Sequence, residues 1–285
     1  MKRSRPPSIR LRRLAAELKR LRVAAALRQE EVAEQTGLDA SSIYRIERAM
    51  NKPQRRTVTT LLDLYGVTDP GRRATLLDWL KDPGQQTWIK EFTPELPEIY
   101  GAYVGFEHEA ESLRWTASMF VPALLQTEEY ARALLSEGAK VVPTDVAQRA
   151  TVRMHRQSIL YRPIPARLWV ILDEAVLRRV VGSPELMHRQ LDKLVASAGR
   201  PNIRLQVVPF SEGVHLGMEG DFVMLDFADP NDPPLVYADG LAGVALREKA
   251  EDVARFAAIF DTIAEHALPP GESRTMIESA ARALV

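Results

Sequence analysis

Polar and basic side chains between residues 41 and 56 are suited to binding a nucleic acid. An arginine can donate two parallel hydrogen bonds to guanine, which makes Arg45 the candidate direct reader of a base. Ser41, Ser42 and Tyr44 are further candidate base readers, although phosphate contact or simple solvent exposure would explain Tyr44 and Ser41 equally well. Cations neutralise phosphates; the candidate phosphate-binding residues are Arg48, Lys52, Arg55 and Arg56.

The charge of the chain is divided unevenly between its two ends. Residues 1–56 contain 15 Lys and Arg against 6 Asp and Glu, whereas the remainder contains 23 and 32. The formal net charge over all 285 residues is therefore zero although one end is strongly basic. This division predicts that the N-terminal end meets a polyanion and that the rest of the chain does not.

The candidate base readers lie within a spacing that predicts two crossing helices. A small residue is needed where the helices touch, and Ala33 supplies it. The bend between the helices needs a residue that tolerates positive φ, and Gly37 supplies it. The spacing turns four apolar residues toward a common core and leaves residues 41, 42, 44 and 45 outside, as in a helix-turn-helix; the four are Val32, Leu38, Ile43 and Ile46.

Five short helices are predicted around this turn, and they make the N-terminal domain a mainly α bundle. Their predicted ranges are 8–27, 29–35, 40–48, 57–65 and 69–80, with Asp39 capping the third and Asp69 the fifth. Residues 8 to about 68 resemble the Cro/C1-type (XRE) helix-turn-helix family. The matching motifs are L-R-R-L, Q-E-E-V-A-E-Q-T-G-L, S-S-I-Y-R-I-E-R and T-V-T-T-L-L-D-L-Y-G-V.

The resemblance implies roles for individual residues. Gln29, which opens the second helix, would bind a DNA phosphate. Ala40 and Ser41 would lie at base-reading positions together with Tyr44 and Arg45. Arg22 would pair with Glu47 and hold the first helix against the third, a structural role. Ala26 stands where that family often has glycine.

The rest of the chain is predicted to be an α+β domain with a small mixed sheet flanked by helices. We divide the chain into a helix-turn-helix domain at 1–82, a polar, proline-rich linker at 83–98 and a regulatory and dimerisation domain at 99–285. Strands are predicted at 113–119, 166–172, 203–208, 221–227 and 235–238. Helices are predicted at 99–111, 144–161, 183–197, 246–266 and 272–284, and a turn leading into a helix is predicted at 121–135.

Residues 85–268 resemble the C-terminal regulatory domain attached to many actinobacterial Cro/C1-type regulators, often described as antitoxin-like. The matching motifs are F-V-P-A-L-L-Q-T-E-E-Y-A-R-A, L-D-E-A-V-L-R-R-V-V-G, P-N-I-R-L-Q-V-V-P-F, G-V-H-L-G and F-V-M-L-D-F. The resemblance implies a domain that senses an effector or holds a small partner protein.

Few residues of this domain have the types and spacing of a catalytic or ligand site. A candidate effector pocket comprises Trp169, Phe210, His215 and Asp221, although the glycines around His215 are explained equally by turn geometry. Residues 107–109 read Glu-His-Glu, which predicts a solvated helix turn because consecutive helical residues diverge by about 100°. No catalytic, nucleotide or metal motif is found, and cysteine is absent. We therefore expect no enzyme, no cofactor and no metal.

Together these observations predict a sequence-specific, DNA-binding transcriptional regulator. One recognition helix reads only a few base pairs, so we expect a homodimer on a palindromic operator in double-stranded DNA. The C-terminal domain would sense a small-molecule effector or hold a small partner protein. Alternatives are an antitoxin-like component that neutralises a small protein, and an enzyme tethered to DNA. Neither a membrane span nor a signal peptide is read from the sequence, which predicts a cytoplasmic protein, nucleoid-associated when bound.

Overall fold

The computed structural model describes residues 9–80, 98–137, 146–229, 232–240 and 243–284. Two compact units divide the chain, the first comprising 1–90 and 96–106 and the second 91–95 and 107–285. The predicted linker at 83–98 lies, except for residue 98, outside the described residues. The three-part division of the chain therefore stays a prediction.

The N-terminal part of the first unit is a bundle of five helices, as the periodicity predicts. The helices are α1 (Ile9–Ala24), α2 (Gln29–Thr36), α3 (Ala40–Glu47), α4 (Arg55–Leu64) and α5 (Pro70–Asp78). Apolar side chains from all five meet in one core, which includes Leu14, Leu18, Val32, Ile43, Ile46, Val58, Leu61, Leu62 and Leu76. The spacing that predicted the bundle thus corresponds to the buried face of each helix.

The turn between α2 and α3 is built by one glycine and one aspartate. Gly37 has φ 69° and ψ 13°, and its N–H donates to the Ala33 carbonyl at 2.9 Å. A side chain with a Cβ is strained in this left-handed region. Asp39 then caps α3 by accepting a hydrogen bond from the Ser42 N–H, as predicted.

Three helices of the bundle end in the same hydrogen-bonded arrangement, in which a left-handed residue lets two N–H groups bond back to the last turn. The left-handed residues are Ala26 after α1, Ala49 after α3 and Gly66 after α4, with φ of 55°, 55° and 70°. Glycine suits this conformation because it has no Cβ. Two of the three ends therefore carry backbone strain that glycine would remove.

The second unit alternates helices and strands. Its strands are β1 (Ser112–Ala117), β2 (Arg167–Asp173), β3 (Ile203–Val208), β4 (Phe222–Asp226), β5 (Leu235–Gly240) and β6 (Gly243–Arg247). Its helices are α6 (Glu98–Glu109), within which the division between units falls, α7 (Glu128–Glu137), α8 (Val146–Arg156), α9 (Glu174–Arg178), α10 (Pro184–Ala198), α11 (Ala250–His266) and α12 (Pro270–Arg282). Within the described ranges, no helix is both long and apolar enough to cross a lipid bilayer.

The six strands form one mixed sheet in the order β3-β2-β1-β4-β5-β6. The pairs β1–β2 and β2–β3 are parallel, whereas β1–β4, β4–β5 and β5–β6 are antiparallel. The α+β class and the mixed sheet flanked by helices are thus confirmed. Because β1, β2 and β3 run in the same direction, the loops that follow them emerge together at the carboxyl ends of these strands, here called the carboxyl edge of the sheet.

Helices cover the sheet and close its β3 edge. Phe260 and Ile263 of α11 pack with Ile171, Phe222, Met224 and Val236 in one apolar cluster. At the free side of β3, the Val207 N–H donates to the Ser273 hydroxyl at 3.0 Å and the Val207 carbonyl accepts from Leu268 at 2.8 Å. The outward backbone groups of Val207 are therefore satisfied within the chain, which hinders another strand from pairing at this point of the edge.

Two elements differ from the sequence-based expectation. The helix expected at 246–266 begins only at Ala250, and residues 243–247 form the sixth strand. Pairing of β6 with β5 overrides local periodicity, since a short apolar run fits a strand as well as a helix. The short helix α9, unpredicted, begins at Glu174 because Asp173 accepts a hydrogen bond from the Ala175 N–H.

Replacing Ala26 with glycine should stabilise the bundle. Ala26 is exposed, so the methyl group contributes little packing, while the substitution relieves left-handed strain of about 1 kcal/mol. Slower amide hydrogen exchange in α1 of the full chain would report this gain. Ala49→Gly is the matched control: Ala49 is only 6% exposed, so the loss of its buried methyl group offsets the relief of strain. Equal effects of the two substitutions would contradict this account.

Candidate nucleic-acid interface

Helix α3 presents a polar side outward and an apolar side to the core. Ile43 and Ile46 are buried, whereas Ser41, Arg45 and Arg48 are exposed and the Tyr44 side chain is 43% exposed. Ala40 and Ser42, at the start of the helix, are partly exposed. The outward residues share one face because residues three and four apart are neighbours on a helix.

A hydrogen-bonded chain runs from the cap of α3 to Arg45. Asp39 accepts from the hydroxyls of Ser41 and Ser42 and from the Ser42 N–H. These hydrogen bonds lower the pKa of Asp39 to about 2, Ser41 contributing most. Arg45 donates through Nη2 to the Ser41 hydroxyl at 2.9 Å and through Nε to the Ser41 carbonyl at 3.1 Å. The guanidinium is thus held along the outer face of the helix.

Tyr44 and Arg48 are also coupled on this face. The Arg48 guanidinium carbon lies 4.9 Å from the centre of the Tyr44 ring, a cation–π distance. One positive charge and one aromatic ring thus form a single exposed unit next to Arg45. An aromatic ring and an arginine in this arrangement can contact a sugar–phosphate backbone or a base edge.

Glu47 connects three helices beneath the exposed face. Arg22 of α1 donates to both of its carboxylate oxygens, at 2.6 and 3.1 Å, and also to the Leu27 carbonyl at 2.7 Å. The Gln29 amide of α2 donates to the same carboxylate at 2.6 Å. The Glu47 side chain is only 3% exposed and that of Arg22 12%. The pair implied by the family resemblance is present, and Gln29 joins it, which the sequence did not indicate.

The remaining cations lie after α3. Lys52 is exposed in the loop between α3 and α4, and Arg55 and Arg56 are exposed in the first turn of α4. The N–H groups at a helix N-terminus are themselves favourable for a phosphate. These three residues with Arg48 form a basic flank beside the outer face of α3.

In the second unit, two of the candidate pocket residues meet at the edge where β1, β2 and β3 end. His215 Nε2 lies 2.9 Å from Asp173 Oδ2, and the His215 side chain is 4% exposed. Asp221 accepts from the Ser118 N–H at 2.8 Å and from its hydroxyl at 2.7 Å. Burial raises the pKa of Asp221, opposed by the Ser118 hydrogen bonds, and nearby Asp173 raises it further. Asp173 and Ser118 were missed because they end strands distant in sequence.

Trp169 lies toward the opposite end of the strands. It lines a cavity of about 420 Å³ formed by residues that begin β1, β2 and β3, a lining that does not include Phe210, His215 or Asp221. Arg204 stacks on the Trp169 ring at 4.0 Å, and Arg114 and Arg167 also line the cavity. The four residues expected to form one pocket are thus divided, because β2 carries Trp169 near its start and Asp173 at its end.

The Glu-His-Glu segment is not the solvated turn that the sequence predicted. Glu107 is 1% exposed and pairs with Arg156 through two contacts of 2.7 Å. A buried ion pair with two hydrogen bonds fixes α8 against the end of α6. Among the residues described, no group of three His, Asp or Glu is arranged to hold a metal ion.

Removing the Glu47 carboxylate should destabilise the first unit strongly. In Glu47→Ala, Arg22 and Gln29 keep buried donors without an acceptor, at a cost of about 3–5 kcal/mol. Amide hydrogen exchange of α1 to α3 in the full chain should accelerate accordingly. Glu47→Gln, which retains one acceptor oxygen, is the control and should lose less. If both variants exchanged like the wild type, Glu47 would have no role in holding α3.

Comparison with known proteins gives two matches. A model described as a helix-turn-helix domain matches residues 13–76, which identifies the N-terminal helices as the DNA-binding part of a regulator. A model described as a domain of unknown function, DUF5753, matches residues 100–279. No curated protein and no solved structure matches the chain significantly. Because the second model covers more than half of its length, the chain belongs to the DUF5753 family and carries a helix-turn-helix domain at its N-terminal end.

Proposed function

We propose that this protein is a transcriptional regulator of the Cro/C1-type that binds a palindromic operator as a homodimer. The observation that carries the proposal is the outward face of α3, on which Tyr44 and Arg45 are exposed while Ile43 and Ile46 of the same helix are buried. A helix with this division of surfaces can enter the major groove without disturbing the core. The helix-turn-helix match at 13–76 supports the same reading.

Arg45 is the residue that recognises a base. Its guanidinium, already oriented by Ser41, reaches the O6 and N7 atoms of a guanine in a bidentate contact that favours this base by about 1–3 kcal/mol. Ser41 and Ser42 both donate their hydroxyl protons to Asp39, so their role is to fix the start of α3 and the position of Arg45. Tyr44 with Arg48 contacts the neighbouring backbone.

Affinity comes mainly from phosphate contacts. Arg48, Lys52, Arg55 and Arg56 neutralise phosphates on one side of the recognition helix. Gln29 uses one amide N–H for Glu47, and the second N–H of the same amide is left for a phosphate. Glu47 thus sets the position of both a phosphate donor and the recognition helix.

The second unit supplies regulation rather than chemistry. The buried His215–Asp173 pair has no serine or threonine hydroxyl hydrogen-bonded to the imidazole among the described residues, so it lacks a nucleophile. Two regulatory roles have separate support. The cavity beside Trp169 fits a small effector that contacts Arg204, since Arg114 and Arg167 pair with Asp226 and Glu111, whereas exposed apolar side chains around His215 fit a protein partner.

The assignment of Arg45 is tested by comparing two single-residue variants. The operator is first selected from a random duplex library with the wild-type protein, and the affinities for it and for single-base variants are then measured. Arg45→Ala should remove discrimination at one base pair, about 1–3 kcal/mol. Arg55→Ala should weaken binding to all sequences alike and reduce the slope of log affinity against log salt by about 0.9.

Arg45→Lys is the matched control because it keeps the charge and loses the bidentate geometry. It should retain the wild-type salt slope and lose discrimination at the same base pair. Uniform loss of binding in both alanine variants would show that Arg45 is a phosphate contact. Absence of duplex binding by the wild-type protein at low ionic strength would overturn the proposed function itself.

A further inference from the structure

Exposed apolar side chains are concentrated on two loops of the second unit. Twelve large apolar or aromatic residues are exposed among the residues described, and six of these lie after β1 or β3. Val214 is 90% exposed, and Phe210 and Met218 are each 58% exposed. We call the six residues the carboxyl-edge patch; they are Met119, Phe120, Phe210, Val214, Leu216 and Met218.

The two loops are held next to each other by buried polar contacts. The Ser118 N–H and hydroxyl, beside Met119, both donate to Asp221. The His215 ring, between Val214 and Leu216, contacts Asp173. The patch is therefore a preformed surface on a fixed backbone and not a set of unrelated exposed residues.

Close packing fixes the loop around His215 further. A Cβ atom added at Gly217 would lie 3.0 Å from two atoms of the His215 ring. The Phe210 N–H donates to Glu174 at 2.9 Å, which ties the start of the same loop to α9. The start and the middle of the apolar segment are thus anchored beside the end of β2, and Asp221, which follows the segment, is anchored to Ser118 after β1.

The patch has the size of a specific interface. A half-exposed side chain of this size offers roughly 100 Å², so six offer on the order of 600 Å². This equals the upper end of the largest apolar patch on a typical monomer, about 300–600 Å². A standard interface covers about 800 Å² on each partner, which the patch reaches with a modest polar rim.

Charged residues of both signs border the patch: Arg179 follows α9, after β2, and Glu212 and Glu219 lie on the loop after β3, where Glu212 already pairs with His266 at 2.9 Å. The Tyr130 hydroxyl accepts the Val121 N–H beside Phe120; burial raises the pKa of Tyr130, and this hydrogen bond and the charges of Arg153 and Arg179 oppose the shift. Glu219 follows Met218 directly, and both Arg179 and Glu219 are exposed. No ion pair is described for either within the described ranges. The rim therefore has a positive charge after β2, between the two loops, and a negative charge at Glu219 on the loop after β3.

We infer that the carboxyl-edge patch binds a second copy of this chain through a two-fold interface. In such an interface, residue i of one chain contacts residue j of the other, and residue j of the first contacts residue i of the second. The patch must therefore be complementary to an identical copy of itself. Apolar loops satisfy this requirement, and a two-fold axis pairs Arg179 of one chain with Glu219 of the other. The inference rests on the proposed function, which requires two recognition helices on one operator.

The first experiment removes the apolar centre of the interface. Val214→Asp/Met218→Glu places charges at two exposed positions, so the fold is retained. Sedimentation equilibrium of the full chain should show a twofold lower mass than the wild type. Operator affinity should fall roughly 10²-fold, because the second helix-turn-helix domain is no longer linked to the first. Ile164→Glu is the matched control, because Ile164 is 82% exposed in the same unit but outside the patch, and it should stay dimeric.

The second experiment tests the orientation of the two copies by charge reversal. Arg179→Glu and Glu219→Arg should each weaken the dimer. The two-fold axis creates two contacts between positions 179 and 219, and each substitution puts charges of the same sign opposite each other in both. The double variant Arg179→Glu/Glu219→Arg should restore dimerisation because the pair is re-formed with its signs exchanged. Failure of the double variant to recover the wild-type association constant would overturn the proposed pairing.

A short random-sequence duplex at low ionic strength separates this inference from the proposed function. A dimeric wild type and a monomeric patch variant that both bind this duplex support the interface. Dimers that survive the patch substitutions overturn it. A wild-type protein that binds the duplex but sediments as a monomer also overturns it, and assigns the patch to a different protein. Loss of duplex binding by the wild type would instead refute the DNA-binding function.

Discussion

The bundle at the N-terminal end depends on the carboxylate of Glu47. A carboxylate withdrawn from water is strongly unfavourable unless donors surround it. Here the donors are Arg22 of α1 and Gln29 of α2, so the position of Glu47 in α3 is fixed relative to both helices. Rotation of α3 about its axis would separate the carboxylate from these donors. The buried charge therefore fixes the rotation of α3 together with Ile43 and Ile46, whose burial turns the same side of the helix toward the core.

The same principle operates in the second unit at the edge where the parallel strands end. Asp173, His215, Asp221 and Ser118 come from three loops, and their hydrogen bonds hold these loops in one arrangement. The Glu107–Arg156 pair of the same unit fixes α8 in a comparable way. In both units, polar contacts between distant segments position surface residues that the apolar core alone would leave undetermined.

How far the sequence predicts the structure depends on the separation of the interacting residues. The five helices, the left-handed Gly37 and the Asp39 cap follow from spacings of a few residues, and the structure contains all of them. The last two residues of β6, Leu246 and Arg247, were predicted as the start of a helix, because pairing with β5 and not the local sequence decides their structure. The spacing of Trp169 and His215 in the sequence could not show that they lie apart. Trp169 is near the start of β2, whereas His215 contacts Asp173 at the end of that strand. The hydrogen bond from Gln29 to Glu47 could not be predicted from the local sequence, because the two residues are 18 positions apart.

The contact between Arg45 and Ser41 has a consequence for how binding specificity diverges among related chains. Ser41 orients the guanidinium without needing to touch DNA, while Asp39 holds Ser41. A relative with arginine at the same position but alanine in place of Ser41 would present the same cation in a different direction. Under the proposed function, operator preference would then depend on a triplet of side chains, and alignments that compare α3 one column at a time would group proteins that read different sequences.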